Sequence, residues 1–355
     1  MEIEEWLSFD DVLLLPKYST IRKSDVDIGW KLGNLKFTIP LVSSPMDTVT
    51  EAKLAIELAR LGGLGIIHRN LSIANQVAQV KKVKTEKLPV GAAVGVGEDL
   101  LPRLEVLVKA GVEVLVLDSA HGHAQFVINR TRMIKAKYPK VALISGNVGN
   151  SHGFENLAKA GADAIRVGLG PGSICTTRIV TGVGVPQFSA IADCAKLARK
   201  LNIVLIADGG IRSSGDIVKA LAAGANSVML GRIFARTDEA PGKVVIIGGK
   251  KYKYYRGMGS VAAMRKGSAS RYDQRVDQKR LIAEGVEGLV AYKGKLGDYV
   301  FQLLGGVKAG MVYTGAANIK QLWEKAQFIK MSHAGLVESH PHSLKITNAG
   351  ENYYT

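Results

Sequence analysis

Cysteine is scarce in this chain, with only Cys175 and Cys194 among 355 residues. Two thiols are too few for a disulfide framework, and the sequence has no Cys-x-x-Cys pair of the kind that ligates a metal through thiolates. We therefore predict a protein of a reducing compartment with free thiols.

Long apolar runs are also missing. No stretch approaches the roughly 18 apolar residues that a membrane-spanning helix needs, and residues 1–5 are acidic rather than basic. We expect a soluble cytoplasmic protein without a membrane partner. No Gly-x-Gly-x-x-Gly lies between a strand and a helix with an acidic residue further on, so a Rossmann domain is not predicted.

The formal net charge of +16 is large, and a positive field favours anionic ligands. The Lys and Arg residues are scattered, however, with no basic tail and no basic motif interleaved with aromatic residues. A nucleic-acid partner is therefore disfavoured, and phosphorylated small molecules fit the charge better.

Eight short apolar runs recur along the chain, separated by amphipathic stretches that include 50–61, 100–110, 124–137 and 189–201. Near-continuous Val, Ile and Leu strands that alternate with helices are typical of a parallel sheet covered by helices. Eight such units predict an α/β protein with a closed (β/α)8 TIM barrel. The predicted strands are 40–44, 64–68, 90–94, 112–118, 141–145, 162–168, 203–208 and 227–231.

Three regions fall outside this repeat. Residues 7–35 precede the first strand and are predicted to form an N-terminal arm. Residues 239–300 are rich in Lys, Tyr, Gly and Arg, and we expect long loops there that form a catalytic flap or finger after strand eight. A final helix is predicted over 317–330, and the whole chain, 1–355, is expected to be one catalytic domain.

Cys175 lies in a glycine-rich run at the end of the sixth predicted strand, where Gly168, Gly170 and Gly172 force a tight loop lined by backbone groups. A thiol exposed there could act as a nucleophile. The alternative is a buried and inert cysteine, which is the usual state of a free thiol. The loop alone leaves both interpretations open.

Ligand-binding groups of a barrel cluster at the carboxyl ends of its strands. Asp208, Gly209 and Gly210 follow the seventh predicted strand, where glycines let backbone N–H groups approach an anion. A phosphate and ribose site is favoured there over a plain turn. The other polar strand ends hold Ser43, Ser44, His68, Asp118, Ser119, His121, Asn147, Gly231 and Arg232, and a structural role is favoured for both histidines.

These residues together resemble the family of inosine monophosphate (IMP) dehydrogenase and guanosine monophosphate (GMP) reductase, over essentially the whole chain. The motifs that carry the resemblance are FDDVLLLP at 9–16, VSSPMDTVT at 42–50, GLGPGSICTTR at 168–178, DGGIR at 208–212 and YRGMGS at 255–260.

The resemblance implies a purine nucleotide whose ribose lies on Asp208. Its implied phosphate ligands are Ser173, Gly210, Gly231 and Tyr255, and the other implied nucleotide contacts are Ser44, Gly209, Gly257, Met258, Gly259 and Glu284. We also predict, as a hypothesis, that Arg232 lies near the phosphate, where the family tends to carry a small residue. Arg236 is a second departure of this kind, and its role is left open.

The resemblance further implies that Cys175 attacks C2 of hypoxanthine, that hydride passes to NAD, and that water hydrolyses the covalent thioimidate to xanthosine monophosphate (XMP). The implied cofactor positions are Asp118, Ser119, Asn147, Gly168 and Gly170. A monovalent cation, usually potassium, is implied as well. Its implied ligands are Gly170, Gly172 and Cys175, with Glu338, Ser339 and His340 from a neighbouring subunit of a homotetramer.

The flap distinguishes the two branches of the family. The dehydrogenase branch carries an Arg-Tyr pair that activates water, and Arg271 and Tyr272 match it, so NAD-dependent dehydrogenation of IMP is favoured. Thr177 and Glu284 offer a second proton route that suits both branches. Many dehydrogenases insert paired cystathionine-β-synthase-like (CBS) repeats after the second strand, and residues 68–88 leave no room for them. Because reductases also lack these repeats, NADPH-dependent GMP reduction stays open.

Two other classes remain as alternatives. A flavin-binding phosphate barrel would use the same glycine-rich strand ends without needing Cys175 or the Arg-Tyr pair. A non-catalytic purine-binding or nucleic-acid-binding protein would leave the thiol dispensable.

Overall fold

The computed structural model describes residues 3–350 and 352–353. It confirms the predicted barrel, because eight parallel strands form one sheet in which each strand pairs with its neighbours along the chain. The sheet closes where the first strand pairs with the eighth and reaches the second through a Val42–Leu64 bridge. The strands are β1 (Leu41–Ser43), β2 (Ile66–Ile67), β3 (Gly91–Val94), β4 (Val114–Asp118), β5 (Ala142–Val148), β6 (Ala164–Val167), β7 (Val204–Asp208) and β8 (Ser227–Leu230).

A helix follows each strand on the outside of the barrel. Ser72, Asn150 and Ser213 begin three of these helices by accepting a backbone N–H in the first turn. Each helix buries an apolar stripe against the sheet. The helices are α1 (Ala52–Arg60), α2 (Ile73–Thr85), α3 (Leu100–Lys109), α4 (Gln125–Lys137), α5 (Ser151–Lys159), α6 (Gln187–Leu201), α7 (Ser214–Ala223) and α8 (Leu296–Tyr313).

A hairpin of Trp30–Leu32 and Leu35–Phe37 closes the amino end of the barrel. Trp30 and Phe37 stack with ring centroids 4.8 Å apart and pack with the inward-facing residues of the barrel. The Trp30 indole N–H donates to Ile39 O, just before β1, at 3.0 Å. Because side chains fill this end, the carboxyl ends of the strands are the end at which we expect a ligand.

The predicted final helix over 317–330 is wrong in its second half. The helix spans only Ile319–Lys325, and Phe328–Lys330 is a strand that pairs antiparallel with Val12–Leu14 of the N-terminal arm. The partner strand lies more than 300 positions away in the sequence, so local propensity could not reveal the pairing. A short helix, His333–Glu338, follows.

The expectation of long loops over 239–300 is wrong on both sides of residues 257–286. Val244–Ile247, Lys250–Arg256 and Glu287–Ala291 form a three-stranded antiparallel sheet, and α8 begins at Leu296. The first two strands are joined by Gly248 and Gly249, both with positive φ (55° and 74°), as a two-residue hairpin turn requires. Lys250–Arg256 is rich in tyrosine, which favours strands, but its lysines are uncommon in strands and made this one hard to predict.

Residues 261–286, which we term the flap segment, lie between the second and third strands of this sheet. They contain short helical turns at Val261–Ala263, Met264–Ser268 and Ala269–Tyr272. Across the described ranges, no helix is both long and apolar enough to cross a membrane. The assignment of 1–355 to one domain stays a prediction, and its outermost residues lie outside the described ones.

Candidate active site

A cavity of about 350 Å³ lies at the carboxyl ends of the barrel strands. Its wall combines strand ends, the glycine-rich loop after β6, and parts of the sheet and flap segment that follow β8. It brings together nearly all of the predicted site residues. These are Ser44, Asp118, Asn147, Gly168, Gly170, Gly172, Ser173, Cys175, Thr177, Asp208, Gly209, Gly210, Gly231, Arg232, Tyr255, Gly257, Met258, Gly259, Arg271, Tyr272 and Glu284.

Four predicted residues are not among those that line the cavity. The hydroxyl of Ser119 donates to His121 O within its own loop at 3.1 Å. Glu338, Ser339 and His340 lie at the end of the helix His333–Glu338 and do not line the cavity of their own chain. His340 Nδ1 instead forms a 3.0 Å hydrogen bond with the Tyr353 hydroxyl.

Cys175 is half-buried and lines the cavity. Its backbone N–H donates to Gly172 O at 3.0 Å, and its thiol donates to Thr177 Oγ1 at 3.1 Å. Glycine is required at 168, because φ is 144° and a Cβ there would lie 2.1 Å from Asp208 O. The loop therefore presents the thiol to the cavity. Cys194, by contrast, is fully buried in α6, and burial raises the pKa of its thiol.

The residues after β8 hold the cysteine loop from the other side. Thr176 N donates to Glu284 O at 2.9 Å, and Val286 N donates to Ile174 O at 3.1 Å. Glu284 N in turn donates to Gly259 O at 3.0 Å. The nucleophile loop and the end of the flap segment are thus one hydrogen-bonded unit.

Buried charges form the floor of the cavity. Arg166, on β6, is almost fully buried and donates to Asp118 Oδ1 at 2.9 Å, and its other guanidinium nitrogen lies 3.5 Å from Asp208 Oδ2. Asn147 Nδ2 donates to Asp208 Oδ2 at 2.8 Å and to Gly168 O at 3.0 Å. These bonds fix the carboxylates at the ends of β4 and β7.

Two oxygens of this floor lack a hydrogen bond. Asp118 Oδ2 and Asn147 Oδ1 are buried, and no group of the described residues donates to either. An unsatisfied buried acceptor is costly, so both oxygens suit donors on a bound molecule, such as an amide or a hydroxyl. The predicted cofactor positions Asp118 and Asn147 therefore fit such a group.

Glycine backbones shape the opposite end of the cavity. Gly209 and Gly210 have φ of 96° and 77°, and a Cβ on Gly209 would lie 2.8 Å from Pro171 Cγ. A Cβ on Gly231 would lie 3.1 Å from the Tyr255 hydroxyl. Burial raises the pKa of Tyr255, so its hydroxyl stays a hydrogen-bond donor at neutral pH.

Arg232 adds a positive charge beside these glycines. It lines the cavity directly after Gly231, and no carboxylate of the described residues pairs with it. Arg236, by contrast, is buried, and its Nε donates to Ala291 O at 2.8 Å, where it joins β8 to the three-stranded sheet. The two departures from the family pattern thus differ in their surroundings, and only Arg232 faces the cavity.

The Arg-Tyr pair closes the remaining side. Arg271 forms an ion pair with Asp118 Oδ1, and its carbonyl accepts from Ala120 N at 3.1 Å. The ring of Tyr272 packs on the backbone at Gly259, where a Cβ would lie 2.8 Å from Tyr272 Cζ. Burial raises the pKa of Tyr272, which keeps its hydroxyl protonated.

Sequence reasoning missed two buried residues that organise this site. Gln187 begins α6, donates to Val167 O at 2.8 Å and to Asp208 O at 3.2 Å, and lines the cavity. Arg166 was also missed. A lone arginine inside an otherwise apolar strand was the only signal for it, because buried charges are rare unless they are paired.

Comparison with known proteins places this site in a family. The family model described as "IMP dehydrogenase / GMP reductase domain" matches residues 6–342. The chain belongs to this family. Relatives named inosine-5'-monophosphate dehydrogenase include one from Aquifex aeolicus, 41% identical over 483 residues, covering 99% of this chain and 98% of the relative.

Two further relatives carry the same name. One from Borreliella burgdorferi is 45% identical over 394 residues, covering 96% of this chain and 98% of the relative, and one from Streptococcus pyogenes is 40% identical over 482 residues, covering 99% and 98%. These spans exceed the 355 residues of this chain, so those relatives carry internal residues that it lacks. Between β2 and β3 this family member has only α2, as predicted for a chain without the CBS repeats.

Proposed function

We propose that this protein is an IMP dehydrogenase that oxidises IMP to XMP with NAD. The observation that carries the proposal is the placement of Cys175 and the Arg271–Tyr272 pair in one cavity. The family and the names of the relatives support it. The Arg-Tyr pair favours the dehydrogenase over the reductase. The dehydrogenase has to activate water to hydrolyse its covalent adduct, whereas the reductase releases ammonia and needs no such pair.

The nucleotide would lie with its phosphate between the backbones of Gly210 and Gly231 and the hydroxyls of Ser173 and Tyr255. Arg232 would donate charge-assisted hydrogen bonds to the same phosphate, which explains an arginine without a carboxylate partner in the cavity wall. The positive φ at Gly209 and Gly210 supports this placement, because it turns backbone N–H groups towards an anion. The remaining proposed nucleotide contacts are Ser44, Asp208, Gly257, Met258, Gly259 and Glu284.

In the first chemical step the sulfur of Cys175 bonds to C2 of hypoxanthine, the thiol proton is released, and a hydride leaves C2. When bound, NAD accepts that hydride. In the second step water adds oxygen to C2, the carbon–sulfur bond breaks, and a proton returns to the thiol. Splitting the substitution in two gives each step a lower barrier. Arg271 and the protonated hydroxyl of Tyr272 orient and activate the water, and Thr177 with the carboxylate of Glu284 offers a route for the proton that the water loses.

The nicotinamide end of the cofactor would use the unsatisfied oxygens of Asp118 and Asn147, beside Ser119, Gly168 and Gly170. Arg271 of the flap segment already occupies Asp118. Arg271 pairs with Oδ1 and the cofactor would use Oδ2, but Arg271 and Tyr272 line the part of the cavity in which the nicotinamide would lie. The part of the flap segment that carries Arg271 and Tyr272 therefore has to leave for hydride transfer and return for hydrolysis. Its return would also keep bulk water out.

A potassium ion would bind carbonyl oxygens of the glycine-rich loop at Gly170, Gly172 and Cys175. Residues 338–340 of the same chain are not among those that line the cavity beside this loop. We therefore propose that Glu338, Ser339 and His340 of a neighbouring subunit complete the site in a homotetramer. The dependence of turnover on potassium tests whether this ion is needed. The cytoplasmic location stays a prediction.

The test of function is spectrophotometric. The protein is mixed with IMP and NAD in potassium buffer, and in a second cuvette with GMP and NADPH. We expect NADH to form in the first, together with an acid-quenched adduct on the peptide that contains Cys175. Consumption of NADPH in the second cuvette alone would assign the chain to the reductase branch.

A further inference from the structure

The loop after β2 forms a platform for the flap segment. Arg69 is 5% exposed, and its Nη1 donates to Gly267 O and to Ser270 Oγ, both at 3.2 Å. Room for this guanidinium depends on Gly95 at the end of β3, where a Cβ would lie 2.8 Å from Arg69 Nη1. An arginine from the barrel therefore reaches under the turn that immediately precedes Arg271.

The next residue of the same loop holds the start of the flap segment. Asn70 Nδ2 donates to Ala263 O and to Asp47 Oδ2, both at 3.2 Å. Asp47 also pairs with Arg256 at the end of the strand that leads into the flap segment. Asn70 thus holds the first residues of the flap segment, and Arg69 holds the turn that precedes Arg271 and Tyr272.

Arg69 also faces the carboxylate that Arg271 occupies. Its Nε lies 3.7 Å from Asp118 Oδ2 and, like its Nη2, has no hydrogen-bond partner among residues 3–350 and 352–353. Burial and the charge of Arg271 lower the pKa of Arg69 to about 10, so it remains a cation at neutral pH. With Arg166, three guanidinium groups surround Asp118 when the flap segment is docked.

Arg69 makes two opposing contributions to the docked state. The two hydrogen bonds from Arg69 stabilise the docked flap segment, and repulsion between Arg69 and Arg271 opposes it. When Arg271 leaves, Arg69 loses both flap acceptors and remains beside Asp118. Arg69 does not line the cavity, so it acts on the reaction only through the flap segment and Asp118.

We propose that Arg69 is a positioning residue that sets the balance between the docked flap segment and a bound dinucleotide cofactor. The proposal rests on the proposed function, in which docking is needed for adduct hydrolysis and undocking for hydride transfer. Loss of the two hydrogen bonds should therefore slow hydrolysis and leave hydride transfer unchanged.

The test uses Arg69→Gln in the full-length protein. Arg69→Gln removes two hydrogen bonds from a charged donor and also the repulsion between Arg69 and Arg271. The second loss partly offsets the first, so we expect a net change of about tenfold in the docking equilibrium. We expect kcat to fall about tenfold, KM for NAD to fall with it, and kcat/KM for NAD to stay within about twofold. The Cys175 adduct, measured by acid quench and mass spectrometry at steady state, should accumulate. A merely structural defect would instead raise KM and lower the adduct.

Two further variants keep the test decisive. Ser270→Ala removes one acceptor and should shift kcat, KM and adduct in the same direction by a smaller factor, even if Arg69→Gln does not fold. Arg132→Gln, at an exposed arginine of α4, is the matched control and should match the wild type. Unchanged adduct levels in both Arg69→Gln and Ser270→Ala would overturn the proposal. Absence of NADH formation by the wild type would instead refute the proposed function.

Discussion

The two walls of the cavity are built in different ways. The strand wall consists of side chains at the ends of β4 to β7, where Arg166 pairs with both Asp118 and Asp208 in the floor. The inserted wall consists of the sheet and flap segment after β8, which meet the barrel through backbone hydrogen bonds and a few side chains such as Arg69. Fixed charges thus come from the strands, whereas the groups that we propose for water chemistry come from an inserted segment that the proposed mechanism requires to separate from them.

The largest effect should come from the thiol of the strand wall. Cys175→Ser should lower IMP oxidation by at least about 10³-fold, because a hydroxyl is a far weaker nucleophile at neutral pH. The matched control is Cys194→Ser in the core, which should keep turnover and affect mainly the thermal midpoint. NADH formation at the wild-type rate in Cys175→Ser would remove the basis of the mechanism.

The next largest effect should come from the inserted wall. Tyr272→Phe removes a hydroxyl that burial keeps protonated, and general acid–base groups contribute about 10²-fold or more. Adduct hydrolysis should slow by about this factor, while the single-turnover burst of NADH stays unchanged. Tyr18→Phe, at a tyrosine that is 91% exposed, is the control. Equal slowing of the burst and of hydrolysis would show that Tyr272 is needed for both steps, so that hydride transfer and hydrolysis are not assigned to different walls.

A smaller effect is expected at the junction of the two walls. Arg232→Gln should raise KM for IMP about tenfold, since a hydrogen bond to a charged group contributes about 1.5–3 kcal/mol and this site is partly open to solvent. Turnover at saturating IMP should change little. Inosine, which lacks the phosphate, provides the control, because its weak turnover should be equal in both proteins. If KM for IMP does not change, Arg232 does not bind the phosphate.

The smallest effect on activity should lie at the outer edge of the inserted wall. Ile246 is 68% exposed on the strand Val244–Ile247, so Ile246→Ser should change the free energy of unfolding by less than about 0.5 kcal/mol and leave turnover unchanged. Ile144→Ala inside the barrel should cost about 2–5 kcal/mol. Thermal midpoints measured for both variants compare the two regions directly.

The sequence predicted the strand wall well, because its evidence is local. Continuous Val, Ile and Leu runs mark each barrel strand, and polar residues such as Asp118 and Asp208 follow them directly. The loop of Cys175 was recognisable from its glycines and from the family resemblance. These features depend on residues that lie next to one another in the chain.

The inserted wall could not be predicted in the same way. Its sheet was mistaken for loops because Lys250–Arg256 is dominated by charge, and its pairing depends on Glu287–Ala291, more than 30 residues away. The role of Arg69 was also hidden, since its acceptors Gly267 and Ser270 lie about 200 positions further along the chain. Contacts of this kind arise only after the barrel has closed.

Barrel closure itself has a consequence for how the protein is made. β1 completes its pairing only with β8, and Val12–Leu14 only with Phe328–Lys330. During translation, β1 must therefore wait with one hydrogen-bonding edge open until residue 230 has left the ribosome, and Val12–Leu14 must wait until residue 330 has done so. A pause or truncation shortly before residue 328 should expose the edge of Val12–Leu14 to aggregation or chaperone binding.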